Sequence, residues 1–298
     1  MTMLLSAFPN QYNLNVAERM VERWWPRGAQ LPYLQYVSVQ STNTLVHTSD
    51  KVSTFGAMGE WPDGTALPVD MALAMGLYTQ TLKRYGEGFK VGPMLVRYGS
   101  MQTVMDWADS LIDSAWVTLR AAFASLLNNG FSSSYAYREA GVALISASHT
   151  TAGGTRSNIL AAASALTFSS WDALRQVAAA HVDYRGKLTP LRIDQMIVPA
   201  ELEVVGMQIK GSPMEPFTSD HQINPLAGGG ITMDEFLTSA TAWFGRDSTR
   251  KNLTGFVGLE YTPGYYREQS SESDVFYGKM DFSYGADDWV GLLGSAGV

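Results

Sequence analysis

Apolar positions recur along this chain with two different periods, and the switches between them outline its elements. Between Tyr12 and Trp25, Leu14, Val16, Met20, Val21, Trp24 and Trp25 stand among Glu and Arg, which predicts a short amphipathic helix broken by Pro26. Gln35–Gln40 alternates with period two and predicts a strand, and Tyr78–Tyr85 has a second strand-like composition. Between them Gly56, Gly59, Pro62, Gly64 and Pro68 punctuate the chain. The expectation is a hairpin-like loop, two strands joined by a long excursion. A connection of that length inside a compact domain points to a functional or interaction loop.

The clearest element is Ser100–Asn128. Val104, Ala108, Leu111, Ala115, Leu119, Ala122 and Leu126 fall three or four residues apart and trace one helical face, with Ser100 as N-cap and Asn128-Asn129-Gly130 as the stop. At 1.5 Å per residue this helix is about 40 Å long. Ser169–His181 predicts another, with Trp171, Leu174, Val177 and Ala178 on its face and Ser169 or Ser170 as cap. Met196–Val198 reads as a buried strand. Pro199 reads as opening a helix that carries Leu202, Val205 and Ile209, contains Gly206 and ends at Gly211. Past Pro213 turn signals dominate (Asn224-Pro225, Gly228–Gly230, Pro263-Gly264) around β-like pieces at Thr254–Tyr261 and Val275–Tyr284. The fold class is α+β.

Composition sharpens this picture. The 298 residues are 46 % apolar and 16 % charged, against roughly 25 % charged in ordinary soluble proteins. A large chain with few charges must hide more surface than usual, and subunit interfaces are one place to hide it. The net charge of -7 comes with no basic run, so tight nucleic-acid binding is not expected, although a negative subunit can enclose DNA without sticking to it. With no cysteine, disulfides and thiolate metal sites are excluded. The N-terminus has no basic region before its short apolar stretch, and Ile159–Leu166 is too short to span a bilayer. No membrane role is expected, and a cytoplasmic product fits.

Candidate chemistry is sparse. His47, His149, His181 and His221 show no i, i+4 pair and read as surface or turn residues. No nucleophile elbow or phosphate loop is present. Gly153-Gly154-Thr155-Arg156 reads as a tight turn before a helix, with an anion cradle as the sharper alternative. Glu201 and Glu203 point to different faces of their helix, Asp287-Asp288 reads as a solvated turn, and Asn252-Leu253-Thr254 as a chance sequon. No catalytic residue, metal site or cofactor is expected.

The tract Phe168–Ser212 resembles the capsid proteins of tailed bacteriophages, the Hong Kong 97 fold. The residues that carry the resemblance are Ser169-Ser170-Trp171-Asp172-Ala173-Leu174 and Gln195-Met196-Ile197-Val198-Pro199-Ala200-Glu201-Leu202-Glu203, with Ile223–Leu226, Ala242–Phe244 and Asp288–Gly291 downstream. The order of arm, long loop, long helix and mixed body agrees with that family over nearly the whole chain. The resemblance implies an N-terminal arm (residues 1–35), an extended loop or E-loop (36–95) and a peripheral domain (96–190) with a spine helix (100–128). An axial domain (191–269) and a C-terminal return (270–298) follow. It implies a structural major capsid protein that assembles with itself into hexamers and pentamers of an icosahedral shell around double-stranded DNA, first in the host cytoplasm and then in the virion. Portal and scaffolding or decoration proteins are the implied partners. Some members carry a charged scaffolding segment before the arm. Here it is cleaved, supplied by a separate protein, or not used. An encapsulin-like nanocompartment and a soluble enzyme stay open as alternatives.

The aromatic residues of arm and loop admit two readings, core filling or intersubunit anchoring. An arm or loop has little core of its own, and Trp and Tyr dominate interface energetics. Trp24, Trp25, Tyr33, Tyr36, Phe55, Met58, Trp61 and Leu67 are therefore expected at intersubunit contacts.

Overall fold

A computed structural model describes residues 11–24, 31–53, 55, 57–135, 137–139, 141–160, 163–216 and 222–298. The chain opens with helix α1 (Gln11–Trp24), then a one-turn helix α2 (Tyr33–Tyr36) running into strand β1 (Ser38–Ser41). The strand predicted over Gln35–Gln40 thus starts late. Pro32 already has helical backbone angles, φ −54° and ψ −41°, and Val37 N donates to Tyr33 O at 2.7 Å. Proline's fixed φ favours a first helical turn, and that local bias outweighs the alternation.

The long hairpin exists, but its strands are β2 (Val46–Val52) and β3 (Ala74–Thr81), paired antiparallel. Its first strand lies after the predicted one, because β1 is taken by a parallel partner more than 200 residues away, strand β10 (Leu253–Glu268). Strand β4 (Lys83–Val91) and the short helix α3 (Pro93–Tyr98) lead to α4 (Met101–Asn128). Ser100 caps α4 by accepting from Gln102 N at 3.2 Å. Val104, Ala108, Leu111, Leu119 and Leu126 of the predicted face are buried, Ala115 and Ala122 half-buried, and Ile112, Trp116, Phe123 and Leu127 join them inside.

The helix packs on a four-stranded sheet in the order β1-β10-β11-β4, where β11 is Ser273–Ala286. Phe123 of α4 lies against Phe282, and Gly255 of β10 leaves the space its ring occupies. The boundary expected at 269/270 falls in the β10–β11 turn. Both strands share this sheet, so no domain border separates them.

Strands β5 (His149–Thr151) and β6 (Gly154–Arg156) form a small hairpin. The Gly153–Arg156 turn therefore closes two strands and precedes no helix. Helix α5 (Phe168–Ala179) starts at a capping box in which Thr167 accepts from Ser170 N and Ser170 Oγ accepts from Thr167 N. The cap is Thr167, two residues before Ser169 and three before Ser170. Strand β7 (Gln195–Val198) is wholly buried, and a 3-10 turn (Ala200–Leu202) precedes helix α6 (Glu203–Gly211). With β8 (Gly230–Met233), β9 (Trp243–Arg246) and β12 (Leu292–Ser295) it forms a second sheet in the order β12-β9-β7-β8. Trp171, Leu174, Ala178, Ile209 and Trp243 fill the core there. This body includes α5, upstream of the boundary expected at residue 191.

Candidate assembly surfaces

The β2–β3 hairpin divides into a pinned stem and an exposed end. The stem lies along the chain's own body. His47 stacks on Phe256 at 3.9 Å, and Gln80 Nε2 donates to Thr254 Oγ1 at 2.7 Å. Arg138, whose side chain is almost entirely buried, donates to Ser49 Oγ at 2.9 Å, to Gly76 O, and to Asp287 O and Oδ1. Lys51 pairs with Asp288. Burial pushes the Lys51 ammonium down to about 8 against the pull of Asp287. Asp287-Asp288 is consequently no solvated turn. It is the counter-charge that roots the hairpin.

Beyond Ser53 the excursion carries apolar side chains with little intramolecular cover. Met58 is 102 % exposed, Trp61 58 %, Leu67 62 % and Phe55 60 %. Val69 and Met71 are also exposed. The tip has some order of its own, since Trp61 Nε1 donates to Thr65 O at 2.9 Å and Thr65 Oγ1 to Pro62 O at 2.7 Å. Gly64 supplies the positive φ of that turn. Monomeric soluble proteins seldom leave so many large apolar side chains uncovered in one segment. Gly56 lies outside the described residues.

The arm residues behave differently from the expectation. Trp24 stacks on Trp116 and Tyr261, and α1 is tied to α4 by Arg19 and Arg23, which both pair with Asp109, and by Arg23 with Asp113. Tyr33 is buried against Phe123, and the fully buried Tyr36 donates to Asp234. These three side chains are intramolecular core, because α1 and α2 cover the open side of α4 and the sheet. Trp25 lies outside the described residues. Of the seven expected interface residues that are described, Phe55, Met58, Trp61 and Leu67 stay exposed.

Two of the histidines expected at the surface lie in the core. His149 is fully buried, stacked on Trp289 at 4.1 Å, with Nδ1 at 2.8 Å from Glu139 and Nε2 at 3.0 Å from Asn158 Oδ1. His181 makes a T-shaped contact with the same indole, and burial, with Arg250 and Arg156 nearby, pushes it down to about 4. Their spacing in sequence gave no sign that they share a tryptophan. His47 is half-buried in β2 on Phe256, and His221 lies outside the described residues. Asn252 of the sequon is buried. Among the described residues, no group of three or more His, Asp and Glu could hold a metal ion.

The model of a family described as phage capsid protein matches residues 77–294. No curated protein matches the sequence. Solved structures share the fold at low identity. The capsid of a native GTA particle aligns with a TM-score of 0.56 at 12 % identity, over 89 % of this chain and 90 % of that one. The Mycobacterium phage Adephagia chain gives 0.53 at 12 %, over 89 % of each. The virus-like particle of Pyrococcus furiosus gives 0.51 at 10 %, over 94 % and 97 %.

Proposed function

Because the chain belongs to the phage capsid protein family and is a structural major capsid protein of the virion, with the Hong Kong 97 fold, we propose that its copies join as hexamers and pentamers through the exposed end of the β2–β3 hairpin. The carrying observation is the contrast within that hairpin. Its stem is pinned by Arg138 and Lys51, while Phe55, Met58, Trp61 and Leu67 stay exposed. Burying half of that apolar set on a neighbour contributes several kcal/mol per subunit, at about 1.5–3 kcal/mol for each fully buried large side chain. In this reading the α4-packed sheet is the peripheral domain and the second sheet with α5 and α6 the axial domain.

The shell encloses double-stranded DNA without reading its sequence, in keeping with a net charge of -7. Portal and scaffolding or decoration proteins are the further partners, assembly takes place in the host cytoplasm, and the chain has no catalytic role. No observation favours the nanocompartment or the soluble enzyme over this reading. The test replaces residues 54–69 with a short Gly-Ser turn and examines the product by negative-stain microscopy. The expected product is soluble, melts cooperatively and forms no shells. Shells of normal size would refute the role of the hairpin end.

A further inference from the structure

Residue Arg185 stands 115 positions from the excursion, yet it holds both of the excursion's ends. Its Nη1 donates to both carboxylate oxygens of Asp70 at 2.6 and 2.7 Å, its Nη2 to Met71 O, and its Nε to Ser53 Oγ at 3.2 Å. Ser53 in turn meets the far strand. Its N donates to Leu73 O at 2.8 Å, and its Oγ accepts from Leu73 N at 3.0 Å. The two ends of the segment thus close into a neck, and one guanidinium spans it.

The residue that spans the neck is itself held by a built turn. Asp183 Oδ1 accepts from the N–H groups of Arg185 at 3.0 Å and Lys187 at 2.9 Å, and Gly186 N donates to Asp183 O at 3.0 Å. Gly186 has φ +84°, a conformation that glycine adopts at little cost. Gly153 of the β5–β6 turn packs so closely on Gly186 that a β-carbon there would overlap backbone, and its N donates to Tyr184 O at 3.0 Å. The Arg185 side chain is only 17 % exposed, against 45 % for Asp70. A built turn therefore presents a planar fork to a more exposed partner, and arginine's preorganised fork loses little freedom per hydrogen bond.

We propose that Arg185 is the positioning residue for assembly: by closing the neck at Ser53 and Asp70–Met71 it presents the apolar excursion as one preformed lobe to a second copy of this chain. The inference rests on the reading that the excursion is an assembly element. An unclosed excursion has to lose its freedom when it docks, which weakens association without removing any intersubunit contact. Lysine does not replace arginine here, since an ammonium cannot reach Asp70, Met71 O and Ser53 with one planar group.

The test compares Arg185→Ala, Arg185→Lys and Asp70→Asn with Met58→Ala/Trp61→Ala, which alters the exposed end and leaves the neck intact. The readouts are hydrogen exchange at the Ser53 and Leu73 amides, chymotrypsin cleavage within residues 55–67, and the protein concentration at which shells form. The neck variants should keep their circular-dichroism spectrum, exchange faster at both amides, be cut faster, and need about tenfold more protein to form shells. Arg185→Lys should restore neither closure nor assembly fully. If the neck variants open the excursion or leave it closed, yet assemble at the wild-type concentration while Met58→Ala/Trp61→Ala is impaired, the positioning role is overturned and the docking role of the excursion survives. If Met58→Ala/Trp61→Ala also assembles normally, both readings fall. Should Arg185→Ala not fold, the exposed Asp70→Asn decides between the same outcomes.

Discussion

Trp24 lies face to face with Trp116, their ring centroids 3.9 Å apart and their planes 15° from parallel. The first indole belongs to α1 and the second to α4, so α1 is packed on the long helix of its own chain. Tyr261 also stacks on Trp24, at 4.7 Å, which joins α1 to the α4-packed core.

Trp24→Ala should therefore destabilise the isolated subunit by about 2 kcal/mol, from lost apolar burial and lost stacking. Removing residues 1–24 should do more, because Val16 and Met20 are fully buried as well. Urea unfolding followed by circular dichroism checks both. An arm deletion as stable as the full chain would place α1 elsewhere in solution.

Tyr36 and Asp234 couple the end of α2 to the residue after β8, through a 2.5 Å hydrogen bond between two buried residues. Burial, with Asp234 beside it, holds the Tyr36 phenol well above its usual value, so it stays a donor. Tyr36→Phe removes that donor and leaves a buried carboxylate short of one partner, at a cost of about 1–3 kcal/mol. The melting temperature should fall, with little change in the circular-dichroism spectrum.

Acid should weaken the fold through His181. Its folded value of about 4 lies below the ordinary 6.5, so the unfolded chain binds the proton more tightly. The neutral ring's contribution is intact above pH 6.5, declines as the pH falls from there, and is gone below about 4. The full span corresponds to at most about 3 kcal/mol. Asp183, Arg156, Arg250 and His149 also act on this ring. His181→Leu should flatten the stability profile between those limits, and an unchanged slope would assign the acid response to other groups.

Gly278 on β11 lies beneath the Tyr261 ring, and a β-carbon there would overlap it. Gly278→Ala should lower stability by about 1–3 kcal/mol through overpacking. Gly278→Ala combined with Tyr261→Leu should recover part of that loss in thermal melts.

Local patterns in the sequence determined α1, α4, α5, β7 and the existence of a long hairpin with an apolar end. Each rests on a periodicity, a cap or a punctuating Gly or Pro, signals that act within one or two turns of chain. What the tertiary structure decided is which of those apolar residues are consumed internally. Trp24, Tyr33 and Tyr36 look the same in sequence as Phe55, Met58 and Trp61, but the first three find partners inside the chain, Trp24 and Tyr33 on α4 and Tyr36 at Asp234. The parallel partner of β1 lies over 200 residues away, so no local alternation distinguishes it from the hairpin's first strand. Arg185 and Arg138 gave no signal either. An arginine in a turn reads as solvated surface until the fold brings Asp70, Ser53 and Asp287 within hydrogen-bond reach. Long-range closure is a property of the assembled core, and the one-dimensional pattern does not encode it in readable form.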